Sequence, residues 1–261
     1  MAENGVYVYA VSRDLPGDAI GRIRGVGGAP VRLVEDRGLA ALASTVSLGE
    51  FGEEALRRNL EDLDWLESAA RAHHAVVDAS AASAATVPLG LATVYRSEDR
   101  VREVLRERRE EFTRALSRIT GRTEWGVKGY ADLNESVTSG ATGEGTATDR
   151  PGTSYLLRRR AERHTEEEAR SDVMAFAERI DGELRHIAAT GRLHPPQNPQ
   201  LSGHEGWMIL NAAYLVDDAR ADDFRAAVAR LADMRPDVQL QLTGPWAPYS
   251  FATEEEAWTD R

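Results

Sequence analysis

The spacing of apolar residues switches repeatedly between a period of two and a period of three to four along this 261-residue chain, and each switch marks an element boundary. Val6 to Ser12 alternates β-branched and aromatic residues ahead of a Pro16-Gly17 turn, which predicts a strand. Val31 to Glu35 and Leu39 to Val46 flank Asp36-Arg37-Gly38 and predict an antiparallel hairpin. From Glu53 the helical period takes over in Leu56, Leu60, Leu63, Leu66, Ala70, His73 and Val77, with a break expected near Asn59. Thr86 to Tyr95 returns to strand pattern, and its Pro88 and Gly90 imply a bulge or an irregular start. Ser97 then caps a helix with the stripe Val101, Val104, Leu105, Arg108, Phe112, Leu116 and Ile119. Glu98 and Asp99 suit its N-terminal dipole, and Gly121 suits its end.

The second half repeats this logic without repeating the sequence. Thr123 to Asp132 reads as a strand, and Asn134 to Thr153, rich in Gly, Ser and Thr, reads as a flexible connector. A long charged helix is expected from Tyr155 to Thr190, buried along Val173, Phe176, Ile180, Leu184 and Ile187, with Arg158 to Arg170 projecting into solvent. After Gly191 and a His194 to Pro199 loop come a strand (Trp207 to Val216), a helix (Asp222 to Met234) and a strand (Val238 to Thr243). The order β-α-β-α-β suits a ferredoxin-like sheet, or a variant lacking one strand. The expected fold is therefore α+β in two domains, residues 1–121 and 122–261. Each would be a small mixed or antiparallel sheet with helices on one face, the second ferredoxin-like and ending in an acidic tail.

Charge and composition exclude several classes. A net charge of −11 opposes a nucleic-acid partner, because phosphate binding needs concentrated basic surface. With no cysteine there is no disulfide, thiol nucleophile or thiolate metal site. No run approaches the roughly 20 apolar residues that cross a bilayer, and the N-terminal residues lack a signal-peptide pattern, so a cytoplasmic protein is expected.

Few residues invite a chemical role. His73-His74, with Glu67 and Asp78 nearby, suggests a metal, but neighbouring helix residues point about 100° apart, whereas paired ligands on one helix are usually four residues apart. His73 is expected inside and hydrogen-bonded, with His74 on the surface. Arg24 to Ala29 is glycine-rich but lacks the strand and helix of a pyrophosphate turn. Ser12, Ser44, Ser47 and Ser250 lack a nucleophile-elbow context. No catalytic, cofactor-binding or metal-binding residue is assigned. The competing class is a metal- or nucleotide-dependent enzyme using His73 or the His194 and His204 region. Trp246, Tyr249 and Phe251, in a proline-stiffened segment, either close the core or form an aromatic patch for a partner protein.

Taken in order, five blocks make the chain resemble the gas vesicle protein GvpL/GvpF family. They are Val6 to Val11; Trp65-Leu66-Glu67 with Ala72 to Val77; Val87 to Tyr95; Glu124 to Lys128; and Leu242 to Phe251. The resemblance implies a two-domain α+β fold with ferredoxin-like elements and a non-enzymatic role in gas-vesicle assembly. Its implied partners are the small hydrophobic gas vesicle shell protein and other gas-vesicle accessory proteins. It implies no catalytic residues and places the protein in the cytoplasm and at the gas vesicle.

Overall fold

The computed structural model describes residues 3–17, 19–21, 23–132, 151–197 and 206–252. They form two compact units, residues 1–124 with 245–261, and residues 125–244. The sequence predicts a break at 121/122, with the whole stretch 122–261 in the second domain. In the structure the segment from Pro245 belongs with unit 1, because Ala247 is buried in that unit's core.

Unit 1 is organised around β1 (Asn4–Ser12), buried at every position from Gly5 onward. On one side β1 pairs antiparallel with β3 (Leu39–Ser47), from Asn4 opposite Ser47 to Ser12 opposite Ala40, with a register shift between Val8 and Ala10. β3 continues antiparallel to β2 (Arg32–Asp36). Arg37 and Gly38 close the β2–β3 hairpin with φ of 47° and 82°, as a two-residue loop that follows the strand twist requires.

The other side of β1 holds two short pieces, β4 (Thr86–Pro88) and β5 (Val94–Tyr95), where the sequence suggested one irregular strand. Between them the chain leaves the ladder. Leu89 N still donates to Tyr9 O at 2.9 Å, Val8 N donates to Thr93 O at 2.9 Å, and Ala92 N donates to the Tyr7 hydroxyl at 2.9 Å. A side chain thus takes up a donor that the broken strand would have left unpaired.

The first helical stretch divides into α1 (Leu48–Phe51), α2 (Glu53–Asn59) and α3 (Leu63–Ala81). The break near Asn59 was expected, but its effect on the stripe was not. Asp62 caps α3 afresh, accepting from Asp64 N and Trp65 N at 3.0 and 3.2 Å, so the two helices do not share one phase. Leu63 is accordingly 77% exposed, and the inward face of α3 is Ala69, His73, Val76, Val77 and Ser80.

The second predicted helix also divides, into α4 (Glu98–Glu107) and α5 (Arg109–Ile119), at Arg108 with φ −104° and ψ 18°. Ser97 is its cap, accepting from Arg100 N at 3.2 Å, and Gly121 follows its end at φ 67°. Arg32 and Asp36 of β2 reach Glu98 and Arg106 of α4, whereas Leu33 packs into the cluster beneath α3. Successive strand residues point to opposite faces. Helices therefore cover both faces of this sheet rather than one, which accounts for the unbroken burial of β1.

Unit 2 runs β6 (Arg122–Ala131, entering the unit at Trp125), α6 (Pro151–Ile187), β7 (Thr190–Leu193), β8 (Trp207–Asp217), α7 (Ala221–Asp233) and β9 (Val238–Trp246). Its strand order is β7-β8-β6-β9. With β-α-β-β-α-β connectivity this is the complete ferredoxin-like arrangement. The strand absent from the sequence reading is β7, only four residues long and devoid of alternation; it pairs antiparallel with β8. Gly191 is needed there because a Cβ would lie 2.9 Å from the Tyr214 ring across the ladder.

The α6 stripe Val173, Phe176, Ile180 and Leu184 meets Phe224, Ala227, Val228 and Leu231 of α7 over Trp125, Val127 and Tyr214 in one core. Arg220 closes the end of α6 by donating to Ile187 O at 2.7 Å. The predicted connector at 134–153 lies outside the described residues up to 150, and the helix begins at Pro151. No helix among the described residues is long and apolar enough to cross a membrane.

Candidate functional site: an aromatic groove of unit 1

β1 directs Tyr7 and Tyr9 beneath α3, their rings 4.8 Å apart. His73 descends from α3 between them and is 2% exposed. Its Nδ1 lies 2.9 Å from the Tyr7 hydroxyl. That hydroxyl also accepts the Ala92 N–H at 2.9 Å. Burial, reinforced by the neighbouring His74, pushes the His73 pKa down to about 4. The interior, hydrogen-bonded role expected for His73 is what the structure shows.

Tyr9 is held in the same way. Its hydroxyl accepts Val26 N at 3.0 Å. The glycine-rich stretch Arg24 to Ala29 is the loop over it, drawn closed by Gly25 N to Ala29 O at 2.8 Å, with Gly27 and Gly28 in the left-handed region. Ser12 and Ser44 donate to the carbonyls of Ala85 and Pro30 at 2.8 and 3.0 Å, and Ser47 caps α1. These are structural uses of hydroxyls.

His74 points outward, and its Nδ1 lies 3.1 Å from the Tyr249 hydroxyl. Tyr249 belongs to a segment pinned at several points. Glu124 accepts Ser250 N at 2.8 Å and Ser250 Oγ at 2.6 Å, and Arg118 donates to Phe251 O at 2.8 Å. Ala247 is buried, and Phe251 is only 5% exposed. Trp246, at the start of the segment, stays 51% exposed. The three aromatic residues singled out from sequence are therefore in different settings: Phe251 is buried, Tyr249 is half-buried against His74, and Trp246 is half-exposed.

Between this segment and α3 opens a groove of about 770 Å³, lined by Arg71, His74, Ala75, Asp78, Glu124, Trp246, Ala247 and Tyr249. Its charged groups are two carboxylates, Asp78 and Glu124, and one guanidinium, Arg71. The Asp78 side chain makes no hydrogen bond or ion pair among the described residues, Arg71 is paired with Glu67, and both carboxylate oxygens of Glu124 accept from Ser250. Burial raises the Tyr249 pKa, and Asp78, Tyr7 and Glu124 add to the rise. The sequence signal for the groove was present in part, in Trp246 and Tyr249, but nothing in the spacing linked them to Asp78 or Glu124.

His194 lines a smaller groove of unit 2, about 280 Å³, with Met174, Leu193 and Met208, and His204 lies outside the described residues. Among the described residues no three His, Asp or Glu side chains converge on a point.

Residues 5–253 match the family described as gas vesicle synthesis protein GvpL/GvpF. The chain is 43% identical to gas vesicle protein L of Streptomyces sp. (strain CB03234) over 246 residues, covering 94% of this chain and 92% of that protein. Gas vesicle protein F of the same organism is 28% identical over 262 residues, covering 94% and 98%. The fold matches the crystal structure of the gas vesicle protein GvpF from Anabaena sp. PCC7120 at a TM-score of 0.70 and 19% identity, covering 99% of this chain and all of that one. A second GvpF structure, from Microcystis aeruginosa, matches at a TM-score of 0.65 and 18% identity over 96% of this chain and 99% of that one. The α+β fold of this chain is thus shared with two GvpF structures. The chain belongs to the GvpL/GvpF family.

Proposed function

We propose that this protein is a non-enzymatic accessory factor of gas-vesicle assembly that binds the small hydrophobic shell subunit and other accessory proteins. The supporting observation is the half-exposed Trp246, held on a segment whose neighbours are buried and hydrogen-bonded. A rigid aromatic at the rim of a groove is the kind of anchor that protein interfaces favour, because little conformational entropy remains to be lost on binding. A small apolar subunit must also be kept from aggregating before it enters a growing wall. A binder with a net charge of −11 can supply that solubility.

The higher identity to protein L than to protein F of one organism, 43% against 28%, supports an L-type place in the assembly. The working compartment is the cytoplasm, at the surface of the forming vesicle. Co-expression with the shell subunit tests the reading. A rise in soluble subunit that co-purifies with this protein supports it, and unchanged solubility without co-purification overturns it. Retention in washed, mature vesicles separates a wall component from a chaperone that leaves.

A further inference from the structure

The groove of unit 1 has a chemistry more specific than an apolar surface. One wall is the outward stripe of α3, where His74 and Asp78 stand one turn apart with the small Ala75 between them. The facing wall is the pinned segment carrying Trp246, Ala247 and Tyr249. Its volume, about 770 Å³, accommodates the side chains of two to four residues, not a folded domain.

Charge selects among occupants. The basic lining residue Arg71 is already paired with Glu67, whereas the side chain of the exposed Asp78 forms no ion pair among the described residues. Two carboxylates, Asp78 and Glu124, line the groove against one guanidinium, Arg71, so the balance of charged groups there is negative. A groove lined by both a half-exposed tryptophan ring and a carboxylate offers a cation π-electron density and a counter-charge. The chain's own last nine residues, Thr-Glu-Glu-Glu-Ala-Trp-Thr-Asp-Arg, are acidic and would meet like charge there.

We infer that the groove docks a short segment of another protein in which an arginine or lysine neighbours an apolar side chain. The cation is received between Asp78 and Trp246, and the apolar side chain rests on Ala75, Ala247 and Tyr249. This deepens the assembly reading, resting on it only for the source of the partner.

The test uses the full chain with the photo-crosslinking residue p-benzoylphenylalanine in place of the exposed Arg71, expressed with the gas-vesicle proteins of its host. The crosslinked peptide is sequenced. The expected result is a peptide from another gas-vesicle protein with a basic residue beside an apolar one. Its crosslinking should fall about tenfold or more on Asp78→Arg and on Trp246→Ala, two changes at exposed positions that leave the fold intact. Reversing the partner's basic residue to glutamate should restore capture by the Asp78→Arg chain.

Crosslinks confined to the chain's own C-terminus or to a second copy, a captured peptide without a basic residue, or no crosslink would each overturn the inference. Co-purification with the shell subunit that survives Asp78→Arg and Trp246→Ala unchanged would leave the assembly reading standing and remove the groove from it. Capture of a basic segment by a chain that does not bind the shell subunit would do the reverse.

Discussion

The hydroxyl of Tyr7 lies 2.9 Å from Nδ1 of His73, and it simultaneously receives the N–H of Ala92, a non-glycine residue held at φ 64°. One hydroxyl therefore ties the central strand to the helix above it and to the break between β4 and β5. Tyr7 and His73 are both buried, so water cannot replace the bond between them.

The same pair predicts how stability follows pH. His73 has a folded-state pKa of about 4 against an ordinary value of 6.5. Between these values the unfolded chain binds more protons than the folded one, so stability rises with pH across that window. The contribution is complete above pH 6.5 and is lost as pH falls toward 4, amounting to about 3 kcal/mol. Denaturant melts of the wild type and His73→Gln at intervals from pH 7 to 4 check this. The difference between the two curves should shrink toward low pH, and a constant difference would contradict the assignment.

Tyr7→Phe should destabilise unit 1 by about 2 to 3 kcal/mol, because it leaves His73 Nδ1 buried without a partner and removes the acceptor of the half-buried Ala92 N–H. Loss of the Tyr9 hydroxyl in Tyr9→Phe orphans Val26 N and should cost about 1 to 2 kcal/mol. Urea denaturation ranks them, and amide exchange at Ala92 should accelerate only in the first variant.

Gly25 has no unusual φ, yet a Cβ there would overlap the hydroxyl and ring of Tyr9. Gly25→Ala is therefore expected to cost more than about 2 kcal/mol through overpacking. Combining it with Tyr9→Leu should recover part of that loss. A double-mutant cycle with additive terms would argue that the two positions do not collide.

Residues of one C-terminal segment should separate by role. Phe251→Ala removes a buried ring and should cost about 3 to 5 kcal/mol, whereas Trp246→Ala should stay within about 0.5 kcal/mol of wild type. Glu124→Ala leaves Ser250 N–H without its acceptor and should expose the 245–252 segment to limited proteolysis with little change elsewhere.

Much of this fold was legible from local signals. The caps at Ser97 and the stop at Gly121 are set by groups within a few residues of the helix ends, and the stripe from Val173 to Leu184 is a property of one helix. The misreadings arose where phase had to be carried across a break. Leu60 and Leu63 fit a continuous stripe, but the new cap at Asp62 reset the helix and left them exposed. β7 was missed because four residues hold no measurable period; only pairing with β8 makes them a strand. The groove was half legible: Trp246 and Tyr249 stood out by type, while Asp78 and Glu124 looked like two carboxylates among many.

By itself the sequence determined the kinds and order of most elements, the α+β class and the inward place of His73, since these follow from spacing along one strand or helix. The resemblance carried by its five blocks pointed to the family before any coordinate was known. Only the tertiary structure decided that the chain returns to unit 1 at Pro245, that Tyr7 mends the break at Ala92, and that Asp78 and Trp246 line one groove. Those relationships join residues far apart in sequence, and chain periodicity carries no information about which distant faces meet; burial and hydrogen-bond satisfaction over the whole fold set them.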